Sequence, residues 1–120
     1  MTLVDAALVA LGAALGAPLR YLTNHWVRER LGGTPAAGTL VVNVVGSFVL
    51  GLIVGAGVAG GPLALVGIGF CGALTTFSTL ALEVWDAMSD DRYLHAVVNV
   101  TLSLVLGLGA AWLGWTLTAS

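Results

Sequence analysis

The sequence predicts an all-α membrane protein with four transmembrane helices, the third interrupted near mid-membrane. Three observations carry that prediction. Of the 120 residues, 58% are hydrophobic and only 8% charged, and mean hydropathy is +1.02, well outside the mix of a soluble domain. A helix needs about 20 mostly apolar residues to cross a hydrocarbon core of about 30 Å, and four such stretches follow one another between short polar marks. Within the third stretch, "ALTTFSTL" at 73–80 sets four hydroxyl side chains around one phenylalanine. Nothing remains for a soluble domain, so residues 1–120 are expected to form a single transmembrane domain.

The first span is expected near residues 3–23. Its start carries Asp5 instead of a basic region, and Arg20 follows the apolar run, which argues against a cleaved signal peptide. Gly12 and Gly16 form a GxxxG pair suited to close helix packing. The segment "VRERLGGTPAAG" reads as the connection to a second span near 37–59, where Thr39, Asn43, Ser47, Gly51 and Gly55 recur every four residues and so share a helix face. An amide near mid-membrane is costly without a partner or water, so Asn43 is either interhelical glue or part of a pathway. "AGGP" breaks the chain before a third span near 62–86, and "MSDDR" precedes a fourth near 94–117. In the fourth, His95, Asn99, Ser103, Gly107 and Ala111 repeat the small and polar stripe.

Charge and special residues narrow the function. A net charge of −2, a pI near 5.4 and the absence of lysine argue against nucleic acid. No phosphate loop, zinc spacing or nucleophile–base pair is present, so no enzyme is expected. The single cysteine, Cys71, reads as a small packing residue, and His25 and His95 as headgroup-level polar residues. Four spans put Arg28, Arg30 and Arg92 on one side of the membrane, with Arg20 close by and no Lys or Arg opposite. That bias predicts one preferred orientation, with both termini outside the cytoplasm. Trp26 and Trp85 at one set of span ends, and Trp112 and Trp115 at the other, read as interfacial anchors.

In the third span, Thr75, Thr76, Ser78 and Thr79 follow glycines at 67, 69 and 72. One hydroxyl can bond back to its own helix, but this density predicts a broken helix whose freed groups face protein or a water-filled cavity. Carbonyl oxygens suit a hard cation such as Na⁺. Hydroxyls, an asparagine NH₂ and the positive edge of a phenyl ring suit a small anion. Both remain open from the residues alone.

Three blocks then resemble the small bacterial fluoride channels called CrcB or Fluc: "GAPLRY" at 16–21, "NVVGSFVLG" at 43–51 and, most specifically, "GFCGALTTFSTLALE" at 69–83. The resemblance implies an antiparallel dimer of four-helix subunits in the bacterial plasma membrane. It also implies two narrow pores that passively export cytoplasmic fluoride, and a structural Na⁺ at the dimer centre. By the same resemblance the main-chain carbonyls of Gly72 and Thr75 hold Na⁺, Asn43 lines the pore, and the ring edge of Phe77 faces fluoride. Thr76, Ser78 and Thr79, with Ser103 of the fourth span, are the hydroxyls expected along that path. Arg20 is expected in a vestibule or structural role, and Glu83 as a vestibule group or a solvated helix-end charge.

The family pattern usually ends in phenylalanine where this chain has Leu80. Leucine lacks the electropositive ring edge, and together with the arginine bias this points to a heterodimer with an oppositely oriented family member, homodimerisation being the other outcome. A non-conducting scaffold subunit of such a heterodimer is the alternative function. A small multidrug transporter is the rival of another class, and it needs a membrane-embedded carboxylate in the first span, where only Asp5 occurs, near the end.

Overall fold

The computed structural model describes residues 2–30 and 35–119; the centre of the first connection lies outside them. Four segments are long and apolar enough to span a membrane: Leu3–Arg30, Ala36–Gly55, Gly60–Ser89 and Tyr93–Thr118. Helix α1 (Leu3–Arg30) begins on a reciprocal cap, in which Thr2 N donates to Asp5 Oδ2 and Asp5 N to Thr2 Oγ1, at 3.2 and 3.1 Å. It runs beyond the membrane segment expected from hydropathy, since Asn24–Arg30 contain no glycine or proline to stop it. Val27–Arg30 and Pro35–Gly38, expected as connection, are therefore helical. Helix α2 (Pro35–Gly55) ends earlier than expected, in a turn at which Gly57 and Gly60 adopt positive φ.

The third span is assembled from pieces. A single turn, α3 (Gly60–Pro62), leads into a π-helical segment, Leu63–Cys71, and then another turn, α4 (Gly72–Leu74). After Thr75 and Thr76, α5 (Phe77–Ser89) restarts the span, and α6 (Tyr93–Thr118) completes the chain.

Packing follows the glycines. In lipid no hydrophobic drive joins helices, so close backbone approach and interhelical hydrogen bonds do the work. A Cβ at Gly12 would meet Leu65 O and Phe70 N, and one at Gly69 would meet Val9 O, so α1 lies backbone-to-backbone on the π-helical segment. On the other side α2 and α6 run in the same direction, with Gly51 against Ala111, Gly55 against Trp115, and Thr118 Oγ1 donating to Leu52 O at 2.8 Å. The outer faces are apolar and exposed, Leu11 and Leu15 on α1 and Leu104 and Leu108 on α6 among them, as befits surfaces solvated by acyl chains. All four tryptophans are exposed too.

Candidate functional site

The site is built around the interruption between α4 and α5. Thr75 and Thr76 take extended backbone conformations, φ −81° and −152°, so donors and acceptors that a continuous helix would pair must find others. Side chains supply them. Thr75 Oγ1 donates to Cys71 O at 2.9 Å, closing the end of the first half-span. Thr76 is the N-cap of α5: its Oγ1 accepts from Thr79 N at 3.2 Å, donates to Thr79 Oγ1 at 3.0 Å and lies 3.3 Å from Ser78 Oγ.

Asn43 of α2 clamps the same break. Its Oδ1 accepts from Thr76 N at 2.7 Å and its Nδ2 donates to Thr76 O at 3.1 Å, so the amide replaces two backbone partners. One Nδ2 hydrogen is left over, because an amide carries two donors. From α1, Arg20 Nη1 donates to Thr75 O at 3.3 Å. Three helices thus converge on two residues of irregular backbone.

Beside the break lies a cleft of about 290 Å³, lined in part by Asn43, Gly72, Thr75, Thr76, Phe77 and Leu80. Six of the residues singled out from sequence therefore share one surface. The Phe77 ring is 80% exposed there. Ser78 and Thr79 join through their bonds to Thr76. Ser103 does not line the cleft; its Oγ is buried on α6 with no hydrogen-bond partner among the described residues. The register of α2 on α6, Gly51 beside Ala111, carries Ser103 to the level of Asn43.

Glu83 is not a solvated helix-end charge. Its Oε2 accepts from Thr39 Oγ1 at 2.8 Å, and its Oε1 is buried without a partner among the described residues. Thr39 itself is almost fully buried. Sequence reasoning left Thr39 and Ser47 out of the site; Ser47 lines the cleft. The period-four stripe through Thr39, Asn43 and Ser47 was the signal that could have found both.

The donor set can be tested against a Na⁺ ion. Thr76 N, which would close a helical turn onto Gly72 O, bonds to Asn43 instead, which frees that carbonyl. Space beside Gly72 is open, with nothing within 4 Å of a Cβ placed there. The Thr75 carbonyl keeps one lone pair beyond its bond to Arg20. Two neutral carbonyl oxygens fit a hard cation as part of a coordination shell.

Comparison with known proteins bears on what this arrangement does. The family model described as "CrcB-like protein, Camphor Resistance (CrcB)" matches residues 7–115. Fluoride-specific ion channel FluC 2 of Rhodococcus jostii (strain RHA1) is 49% identical over 112 residues, covering 93% of this chain and 96% of that protein. Fluoride-specific ion channel FluC 1 of Nocardia farcinica (strain IFM 10152) is 46% identical over 115 residues, covering 96% and 81%. A third relative of the same name, from Geobacillus kaustophilus (strain HTA426), is 43% identical over 107 residues, covering 89% and 91%. These relatives are named as ion channels and not as enzymes. A multi-pass membrane protein whose family match runs through all four spans, this chain belongs to the CrcB family.

Proposed function

We propose that this chain is a subunit of a fluoride-selective passive channel that exports cytoplasmic fluoride across a bacterial plasma membrane. The observation that carries the reading is the cleft beside the Thr75–Thr76 break, where hydroxyls, an amide and an exposed ring edge gather in a chain whose relatives are named fluoride-specific channels.

Fluoride is small and strongly hydrated, so a path must replace its water with donors that hold the ion without trapping it. The free Nδ2 hydrogen of Asn43, the hydroxyls of Ser78 and Thr79, the buried hydroxyl of Ser103 and the Phe77 ring edge are such donors. Asn43 and Thr76 also hold the break open, which fixes these groups before an ion arrives. Conduction along such a path is passive, which the naming of the relatives as ion channels supports.

Gly72 and Thr75 carbonyls would hold a structural Na⁺ at the centre of an antiparallel dimer lying at mid-membrane. Bound there, the ion would consume unpaired carbonyls and add positive potential near an anion path. Two carbonyls per chain make half a shell, and a two-fold partner doubles it. Arg20 braces the break from the side, and Glu83 with Thr39 forms a separate polar pair toward the arginine-bearing end.

Leu80 lines the cleft where the family pattern has a second ring. With the arginine bias it favours a heterodimer, in which this chain either conducts or serves as a scaffold for its partner's pore. Asp5, the carboxylate that the multidrug-transporter reading would use near the start of the first span, is engaged in the α1 cap. The test is efflux from fluoride-loaded liposomes containing the purified chain, read with a fluoride electrode beside chloride-loaded controls. Selective fluoride efflux supports a conducting homodimer. Silence from folded protein, reversed by co-reconstitution with an oppositely oriented family member, supports the heterodimer, and silence in both arms overturns the channel reading.

A further inference from the structure

Away from the cleft, α5 and α6 border a second concavity. This groove of about 270 Å³ is lined by Val84, Met88, Ala96, Val97, Val100 and Thr101. It is apolar, and it opens on an outward surface where Val97 is 60% and Met88 42% exposed. At its head stands the α5–α6 turn, hydrogen-bonded and charged. Asp90 N, Asp91 N and Arg92 N donate to Asp86 O, Met88 O and Ala87 O at 3.1, 3.1 and 2.7 Å, and Asp91 sits in the left-handed region at φ 57°. The turn presents Asp90 and Arg92 paired at 3.3 Å with both side chains more than half exposed, and Asp86 and Asp91 are exposed beside them.

Charge selects the occupant. Three carboxylates against one guanidinium repel a purely anionic headgroup, yet Arg92 offers a phosphate its fork of donors. A zwitterion satisfies both signs at once. A primary ammonium brings three N–H donors to the carboxylates, which a quaternary ammonium lacks. Trp85, 66% exposed one turn before the end of α5, sets this turn at headgroup level.

We propose that the groove and turn bind one ethanolamine phospholipid, its ammonium on Asp90 and Asp91, its phosphate on Arg92 and one acyl chain in the α5–α6 groove. The site is independent of the fluoride path and rests only on the membrane-spanning fold.

Native mass spectrometry of the full chain in detergent, with added dioleoyl phosphatidylethanolamine, phosphatidylglycerol or phosphatidylcholine, tests it. The wild type should retain one phosphatidylethanolamine per chain, favoured about threefold over either other lipid, as befits a few exposed charge pairs. Val97→Trp, at a position exposed enough to leave the fold intact, should fill the groove and lose that retention. The double variant Asp90→Asn, Asp91→Asn keeps a residue type tolerant of the left-handed region and should keep lipid while losing the preference. Equal retention of the three lipids by the wild type, or undiminished retention by Val97→Trp, overturns the proposal. So does efficient disulfide crosslinking of Thr101→Cys between copies in membranes, which would mean that a second chain covers the groove.

Discussion

Replacing Asn43 by alanine removes both bonds that the amide makes to Thr76, at 2.7 and 3.1 Å. Thr76 is 8% exposed, so its N–H and C=O would be left unpaired where water has little access. A buried backbone group stripped of its partner costs about 1–3 kcal/mol, which puts two at about 2–6 kcal/mol. Interhelical hydrogen bonds measured in membrane proteins average about 0.6 kcal/mol, because the unfolded chain also finds partners. Thr76 cannot re-pair easily, since it lies in irregular backbone, and we expect about 2–4 kcal/mol. For a chain of this size that lowers the thermal midpoint by roughly 8–16 °C. Thermal unfolding in detergent, followed by size-exclusion chromatography of the surviving folded fraction, reads the loss. Ser47→Ala is the comparison, a neighbour on the cleft wall that makes no hydrogen bond to the break among the described residues, and it should leave the midpoint within about 2 °C, as substitutions outside special sites do. An Asn43→Ala protein as heat-stable as the wild type would refute the clamp and leave Asn43 with a ligand role alone.

Thr76→Val removes the N-cap of α5 and should cost about 0.5–2 kcal/mol, visible in the same melt, with Thr76→Ser restoring most of it. Gly12→Ala would drive a methyl into the backbone at Leu65 and Phe70 and should destabilise by about 1–3 kcal/mol. Gly109→Ala, where nothing lies within 4 Å, should be neutral or stabilising by up to about 1 kcal/mol; a melt that ranks the two the other way would contradict the packing described for α1. Leu80→Phe restores an electropositive ring edge to the cleft and should raise fluoride efflux from liposomes by about tenfold, the worth of about 1.4 kcal/mol in a barrier. Unchanged efflux would remove Leu80 from the account of why this chain departs from its family.

Much of the fold is legible in the sequence because its cause is one-dimensional. Apolar length alone sets the four spans, and Gly-Gly-Pro and Asp-Asp-Arg mark two of the joints between them. The cluster Thr75-Thr76-Phe77-Ser78-Thr79 announces irregular backbone because no run of plain helix needs so many hydroxyls. What those hydroxyls do is decided by tertiary structure. Thr75 and Thr76 cap the two half-spans, and the remaining backbone pairs with Asn43 and Arg20 from helices more than 30 residues away in sequence. Periodicity cannot show the π-helical winding of Leu63–Cys71 either, since its nine residues are all apolar or glycine and carry no polar mark from which a period could be read, and its close fit to Gly12 and Gly16 appears only in the packed chain. Glu83 reads as a terminal charge from position and turns out to be bonded to Thr39, a partner 44 residues away. Composition, length and local hydroxyl density act along the chain and survive in its sequence. Pairings across helices depend on which faces meet, and that is a property of three dimensions.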